Sequence, residues 1–163
     1  MAHTKGVDDA RVAELAEQLS FRSLFVGLSQ EQSVALVRRA ELLSFQPGQA
    51  VVKEGELGDA MFVVLGGSVR VVKNGKAVAI IEGGDSMGVQ YQGDFFGEMS
   101  LVDLEPRSAT IEAHENAELL KFPRDPLLEY LITDKDAHIV LLSNIARIVS
   151  RRLRGAGTPP PKP

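Results

Sequence analysis

Glycines cut the middle of this chain into short lengths. They fall at Gly48, Gly55, Gly66, Gly75, Gly83 and Gly93, seven to eleven residues apart. Between them lie β-branched runs over residues 50–53, 60–65, 68–73 and 76–81. Short strands at this spacing, with turn residues between them, predict a sandwich, jelly roll or barrel over about residues 41–123. Asn74-Gly75 spells a two-residue hairpin, because both central positions of a type I′ turn need φ > 0. Two further strands are expected over residues 107–113 and 117–122. No Gly-Lys-Ser/Thr follows any of these glycines, so none belongs to a P-loop.

The flanks read as helices. Val12, Leu15, Ala16 and Leu19 repeat at the spacing of one helix face. Ser29 followed by Gln32 spells a capping box, and Val34, Leu36, Val37, Ala40 and Leu43 follow it. Residues 21–28 between them are expected as a turn or short helical piece. After the strands, Asp125-Pro126 reads as a cap and a first-turn proline. A second helix is expected from near Asp136. In it Ile139, Leu142, Ala146, Val149 and Leu153 alternate steps of three and four. That seam would pack on the strands or meet a second helix in a dimer. Gly155 is expected to end it, leaving 155–163 as a disordered, proline-rich tail.

Composition narrows the function classes. The 163 residues are 44% apolar and 25% charged, which suits one globular domain. With no cysteine there is no disulfide frame, thiolate zinc site or cysteine nucleophile. The net charge of −4 lacks the basic surplus of a nucleic-acid binder. No run approaches the roughly 18 apolar residues of a membrane span, and the polar first residues lack a signal peptide's apolar core. A cytoplasmic protein without membrane or nucleic-acid partner is expected. The three histidines, His3, His114 and His138, are scattered, and no Gly-x-Ser-x-Gly or His-Glu-x-x-His occurs. The chain is therefore not expected to be an enzyme.

One segment concentrates binding chemistry: Phe95-Phe96-Gly97-Glu98-Met99-Ser100-Leu101, then Pro106-Arg107-Ser108-Ala109-Thr110. Gly97 opens a short apolar turn where backbone N–H groups at a helix start attract an anion. The planar guanidinium of Arg107 suits a phosphate, and Ser108 and Ala109 add backbone donors. Glu98 is a poor phosphate ligand but a good acceptor for a sugar hydroxyl. Glu98 and Arg107 would equally make a surface ion pair contributing about 1 kcal/mol or less.

The two pieces resemble the phosphate-binding cassette of the cyclic nucleotide-binding domain family. That family includes catabolite activators, protein kinase A regulatory subunits and cyclic nucleotide-gated channels. Pro47-Gly48, Lys53-Glu54-Gly55, Gly58-Asp59 and Phe62-Val63-Val64-Leu65-Gly66-Gly67-Ser68-Val69 match its earlier strands and turns. The likeness covers roughly residues 24–154. It implies a mainly β fold, an eight-stranded jelly-roll-like β-roll with N-terminal helices and two C-terminal helices. The domain would span 21–154, after an N-terminal helical segment over 1–20.

The resemblance also implies roles. The ligand-binding set is Gly97, Glu98, Met99, Ser100, Arg107, Ser108 and Ala109. Arg107 would pair with the ring phosphate, and N–H groups at Ser100 and Ser108 would complete the cradle. Glu98 and the Gly97 backbone would take the ribose 2′-hydroxyl, and Met99 would link the cassette to the helix behind it. Serine at 108 is compatible with cAMP and does not exclude cGMP. No resident cofactor or metal is implied; the ligand is cAMP, with cGMP weaker.

Two departures from the family stand out. Residues 84–92 form an insertion between two Gly-Asp turns. The last helix stops near Arg154, where catabolite activators continue into a DNA-binding domain. The expected molecule is a stand-alone receptor module, monomeric or dimeric through the C-terminal helix, that signals to an effector protein by moving its terminal helices. The alternative is an interaction module that keeps the fold and works without a ligand. A regulator of nucleic acid through Arg147, Arg151, Arg152 and Arg154 is weaker, because a basic last turn more often offsets the helix dipole. Ile148, Arg151, Arg152 and Tyr91 are the candidates to cover the base.

Overall fold

Alternation along the strands sets the layers of this protein. The computed structural model describes residues 3–5, 7–84 and 94–156. Strand β1 (His3–Lys5) precedes helices α1 (Asp9–Ser20) and α2 (Gln30–Val37). Five strands follow: β2 (Glu41–Phe45), β3 (Ala50–Val52), β4 (Ala60–Gly66), β5 (Ser68–Lys73) and β6 (Lys76–Glu82). Strand β7 (Phe95–Phe96) leads into a short 3₁₀ helix, Glu98–Leu101. Strands β8 (Thr110–Ala113) and β9 (Ala117–Pro123) then run into helices α3 (Arg124–Thr133) and α4 (Lys135–Ala156). The strands form two antiparallel sheets, ordered β1-β2-β9-β4-β7 and β3-β8-β5-β6.

Successive side chains of a strand point to opposite faces. In β4 the residues from Ala60 to Val64 are all buried. Ala60, Phe62 and Val64 join Phe45, Ile111 and Leu119 between the sheets. Met61 and Val63 face the helices and meet a second cluster that holds Leu15, Phe25, Leu36, Leu127 and Leu141. The helices and the two sheets of the β-roll therefore stack as three layers, and both faces of the larger sheet are covered. Burying each such side chain contributes about 1.5–3 kcal/mol.

Local signals hold where they concern a few neighbouring residues. Ser29 and Gln32 make the reciprocal capping box. Asn74 and Gly75 have φ of 51° and 75° and close the β5–β6 hairpin with Lys73 opposite Lys76. The mainly β fold with flanking helices is as expected.

Some expectations move. The eight strands β2–β9 make the expected roll, and among the described residues β1 adds a ninth that pairs with β2, His3 lying opposite Ser44. Residues 3–5 are thus strand, and the N-terminal helix begins only at Asp9. Leu43 was expected on a helix face, but α2 ends at Val37 and Leu43 lies in β2. There Leu42 enters the helix-side cluster while Leu43 and Phe45 enter the one between the sheets. Helix α3 starts at Arg124, and Pro123 occupies the N-cap without a side-chain cap bond. Asp125 sits in the first turn instead of capping it.

Helix α4 packs through a face other than the expected seam. Ala137, Leu141, Ile145 and Ile148 are buried, while Ile139, Leu142 and Leu153 are exposed. The helix also continues through Gly155 to Ala156. The insertion at 84–92 beyond Gly84, and the tail from 157, lie outside the described residues. Among the described residues no helix is long and apolar enough to cross a membrane.

Candidate functional site

Arg107 is placed by two loops that bond to each other. The Gly55 N–H donates to the Arg107 carbonyl at 2.9 Å, and the Arg107 N–H donates to the Glu56 carbonyl at 2.7 Å. Leu57 and Pro106 add a β-bridge beside them. The side chain then runs inward. Its Nη2 donates to the Ala60 carbonyl at 2.8 Å, and its guanidinium carbon lies 5.9 Å from the Phe62 ring centroid.

Two glycines make room for that guanidinium. A Cβ at Gly58 would lie 3.1 Å from its central carbon. A Cβ at Gly97 would lie 2.7 Å from Nη1 and 2.8 Å from the Ala60 carbonyl oxygen. Gly97 also has φ of 77°, a left-handed conformation that costs other residues about 1–2 kcal/mol. Burial lowers the Arg107 pKa from its usual value, and the nearby Asp59, Glu98 and Glu56 oppose the shift. An arginine remains charged in such a setting, and a partly desolvated cation is a strong anion acceptor.

The cassette leaves the sheet at β7. Phe96 lies opposite Phe62 on β4, and their rings stack 5.0 Å apart. Gly97 turns the chain into the 3₁₀ helix. Ser100 returns both donors to the Gly97 carbonyl, its N–H at 3.1 Å and its Oγ at 2.6 Å. Ser100 is buried, and in this arrangement its N–H is taken by the Gly97 carbonyl. Met99 is 61% exposed and does not link the cassette to the helix behind it. That link is Arg124 at the start of α3, whose Nε donates to the Ser100 carbonyl at 2.7 Å.

All seven residues singled out in the sequence line one cavity of about 600 Å³: Gly97, Glu98, Met99, Ser100, Arg107, Ser108 and Ala109. Val71, Ala79, Ile81, Phe96 and Ile111 form apolar wall. The size is that of a small-molecule site. The lining offers a cation and a carboxylate together with an apolar surface. This suits a ligand with an anion, a hydroxyl and a flat ring. A larger cleft of about 710 Å³, bordered by Ser44, Gln46, Gln49, Asn116 and Glu118, has no basic side chain among the described residues to pair with an anion.

The remaining wall comes from α4. Arg152 and Gly155 both line the cavity. Arg152 Nη1 lies 3.5 Å from Glu98 Oε1, its Nη2 donates to the Phe95 carbonyl, and its guanidinium sits 4.6 Å from the Phe95 ring centroid. The two charged side chains are only 23% and 13% exposed. Burial lowers the Arg152 pKa, against the attraction of Glu98 and Asp94. Glu98 thus forms its ion pair with Arg152 and not with Arg107.

This geometry sorts the candidates for a cover. Ile148 is 2% exposed within the helix-side core and is not one. Arg151 is exposed and does not line the cavity. Tyr91 lies outside the described residues, and Arg152 stands at the site. The basic turn of α4 is likewise not one outward patch. Arg152 turns inward, Arg147 donates to Asn144 Oδ1 at 3.1 Å, and Arg154 donates to Ser150 Oγ at 3.2 Å. Sequence reasoning missed Arg124, and it missed the buried pair of Arg22 with Asp94 beside the cassette. Neither carries a local motif.

Comparison with known proteins follows the same lines. Residues 42–134 match the sequence profile of the family described as cyclic nucleotide-binding domain. A cGMP-dependent protein kinase of Eimeria tenella is 34% identical over 123 residues, 76% of this chain and 11% of the kinase. The cyclic AMP receptor protein of Thermus thermophilus is 32% identical over 135 residues, 82% of this chain and 58% of the receptor. The chain thus spans about a tenth of the kinase and somewhat over half of the receptor. The crystal structure of a cyclic nucleotide-binding domain from Methylobacillus flagellatus shares the fold. Its TM-score is 0.75 at 24% identity, with coverage of 94% of this chain and 84% of that one.

Proposed function

The chain belongs to the cyclic nucleotide-binding domain family, and from that premise we propose that it is a non-catalytic receptor for cAMP that binds cGMP more weakly. The observation that carries this reading is the meeting of Gly97, Glu98, Arg107, Ser108 and Ala109 on one cavity of about 600 Å³. Arg107 takes the cyclic phosphate, its guanidinium already aimed by Ala60, Gly58 and Gly97. Ser108 and Ala109 supply backbone donors. Glu98 and the Gly97 backbone take the ribose 2′-hydroxyl, and the apolar wall takes the purine. Ser108, directly after the arginine, is the basis for placing cAMP ahead of cGMP.

Occupancy is reported through α4. Arg152 holds the carboxylate that the ribose needs. A nucleotide that claims Glu98 changes what Arg152 binds, and Arg152 then packs over the base. A ligand shifts such an equilibrium only by its differential affinity for the two arrangements. The outward stripe of Ile139, Leu142 and Leu153 is the surface a partner protein or second copy would read.

Calorimetry of nucleotide-free protein with cAMP, cGMP and a cyclic dinucleotide tests the reading. Saturable heat with cAMP, and a weaker response to cGMP, is the expected outcome. No heat with any of the three at millimolar concentration leaves a ligand-independent interaction module in its place.

A further inference from the structure

One buried ion pair beside the cavity has no place in the ligand contacts. Arg22 lies in the turn between α1 and α2 and is 5% exposed. Its Nη1 donates to the Val64 carbonyl at 2.9 Å and to Asp94 Oδ2, and its Nη2 donates to the Leu65 carbonyl at 3.2 Å. Asp94 is 2% exposed, and its own carbonyl accepts the Val64 N–H at 2.7 Å. Both the backbone and the side chain of Asp94 are therefore held, immediately before β7. Only Phe95 and Phe96 separate it from Gly97 and Glu98.

The other side of the same turn is held by α4. Asn144 is 4% exposed, and its Nδ2 donates to the Leu24 and Val26 carbonyls at 2.9 and 2.8 Å. Among the described residues, helix α4 thus reaches the cassette by two polar routes. One is direct, from Arg152 to Glu98. The other runs through Asn144, the turn, Arg22 and Asp94. A nucleotide on Glu98 competes with the first and leaves the second untouched.

Stability alone does not call for charges here, since apolar side chains of similar volume often serve a buried position as well as an ion pair does. What a guanidinium adds is direction. Its planar fork of donors meets two strand carbonyls and a carboxylate in one fixed geometry, which neither a lysine nor an apolar residue reproduces.

We propose that Arg22 is a positioning residue of the nucleotide site: through Asp94 it sets where β7 ends and where Gly97 and Glu98 stand, and so sets ligand affinity without touching the ligand. The proposal rests on the receptor reading for its affinity arm and on geometry alone for its positioning arm.

Two variants of the full chain test it. Arg22→Lys keeps the charge and removes the fork. The double variant Arg22→Met with Asp94→Leu removes both charges and leaves neither unpaired. Each is compared with the parent at a temperature where its melting curve shows it folded. Calorimetry gives cAMP affinity, and amide hydrogen exchange without ligand gives the protection of residues 95–101. The expected result is binding weaker by about tenfold, together with faster exchange at 95–101 and parent-like exchange in β5 and β8. A folded variant with parent affinity and parent protection overturns the proposal. So does a lower melting temperature with affinity and exchange unchanged, which marks a role in stability only. If neither variant folds, the pair is a folding determinant and the proposal falls as well. A parent that binds neither cAMP nor cGMP refutes the receptor reading instead, and exchange at 95–101 then decides the positioning role by itself.

Discussion

The two arginines of the cavity are held by different kinds of structure. Arg107 stands between loops whose backbones bond to each other on both sides, and its side chain is fixed to a strand carbonyl. Arg152 stands near the end of a 22-residue helix, past its last buried residue Ile148 and next to Leu153, which is 72% exposed. Among the described residues its hold on the site is a side-chain pair with Glu98, a bond to the Phe95 carbonyl and a ring contact. The strand wall is therefore held by backbone bonds, and on the proposed reading the helix wall is conditional on what Glu98 is bound to. A receptor needs both kinds. The first supplies affinity, and the second supplies a difference between free and bound states.

The comparison breaks most directly at Arg107. Arg107→Ala should bind cAMP roughly tenfold to a hundredfold more weakly, since a charge-assisted contact contributes about 1.5–3 kcal/mol. The melting temperature should change little, because a single bond to Ala60 is lost from a partly exposed side chain. Glu98→Gln should weaken binding less, its amide still accepting from a hydroxyl. An Arg107→Ala protein that is folded and binds as the parent does contradicts the assignment of the strand wall.

Gly97→Ala is the next largest test. The new Cβ meets both the Arg107 guanidinium and the Ala60 carbonyl, at a positive φ. We expect weaker binding by about tenfold and a loss of stability of about 1–2 kcal/mol, read by calorimetry and thermal melting. Unchanged affinity would mean that the guanidinium has room the geometry does not grant it.

The helix wall should respond in rate rather than in fold. Arg152→Ala should speed nucleotide release several-fold in stopped-flow displacement, in line with a cation packed on a ring contributing about 0.5–1 kcal/mol. Tyr91→Ala in the same assay sharpens the point. Faster release from the Tyr91 variant than from the Arg152 variant would move the cover from α4 to the 84–92 segment.

The smallest effect concerns the junction of α3 and α4. Tyr130 donates to Asp134 Oδ2 at 2.9 Å, and Asp134 also accepts from Gln32 and from the Ala137 N–H. Burial first, then the bond and charge of Asp134, push the Tyr130 pKa from 10.0 up to about 12. The neutral phenol favours the fold, so its contribution is full below pH 10 and is lost as pH rises through about 12. Subtracting the stability of Tyr130→Phe from that of the parent across this window should reveal the loss. A difference that stays flat with pH would show that the hydroxyl does not tie α4 to its hinge.

Much of the site was legible because its residues are neighbours in the chain. The cassette falls in two short runs, 95–101 and 106–110, and all seven residues chosen from them reach one cavity. Residue roles were less legible than membership. Met99 was expected to pack behind the cassette and is exposed, while Ser100 was expected to offer its N–H and gives it to Gly97. A 3₁₀ turn of four residues is too short for a periodic pattern to record which way its side chains point. Leu43 continued a helical spacing only because two leucines of a doubly covered strand fall beside α2, and periodicity does not separate a short buried strand from a helix.

What the sequence by itself determined is whatever a few adjacent residues can satisfy among themselves. The glycine cuts, the Asn74-Gly75 hairpin, the Ser29 capping box and the left-handed turn at Gly97 are of this kind. Each depends on local dihedrals or on hydrogen bonds closed within a turn. Only the tertiary structure decided that Arg152 meets Glu98 across 54 residues, Arg22 meets Asp94 across 72, and Asn144 meets Leu24 across 120. It likewise decided which stripe of α4 is buried. A lone arginine or asparagine on a helix carries no signal of its partner. The partner is chosen when the helices stack on the larger sheet and the apolar face that buries most area against it sets the rotation of α4.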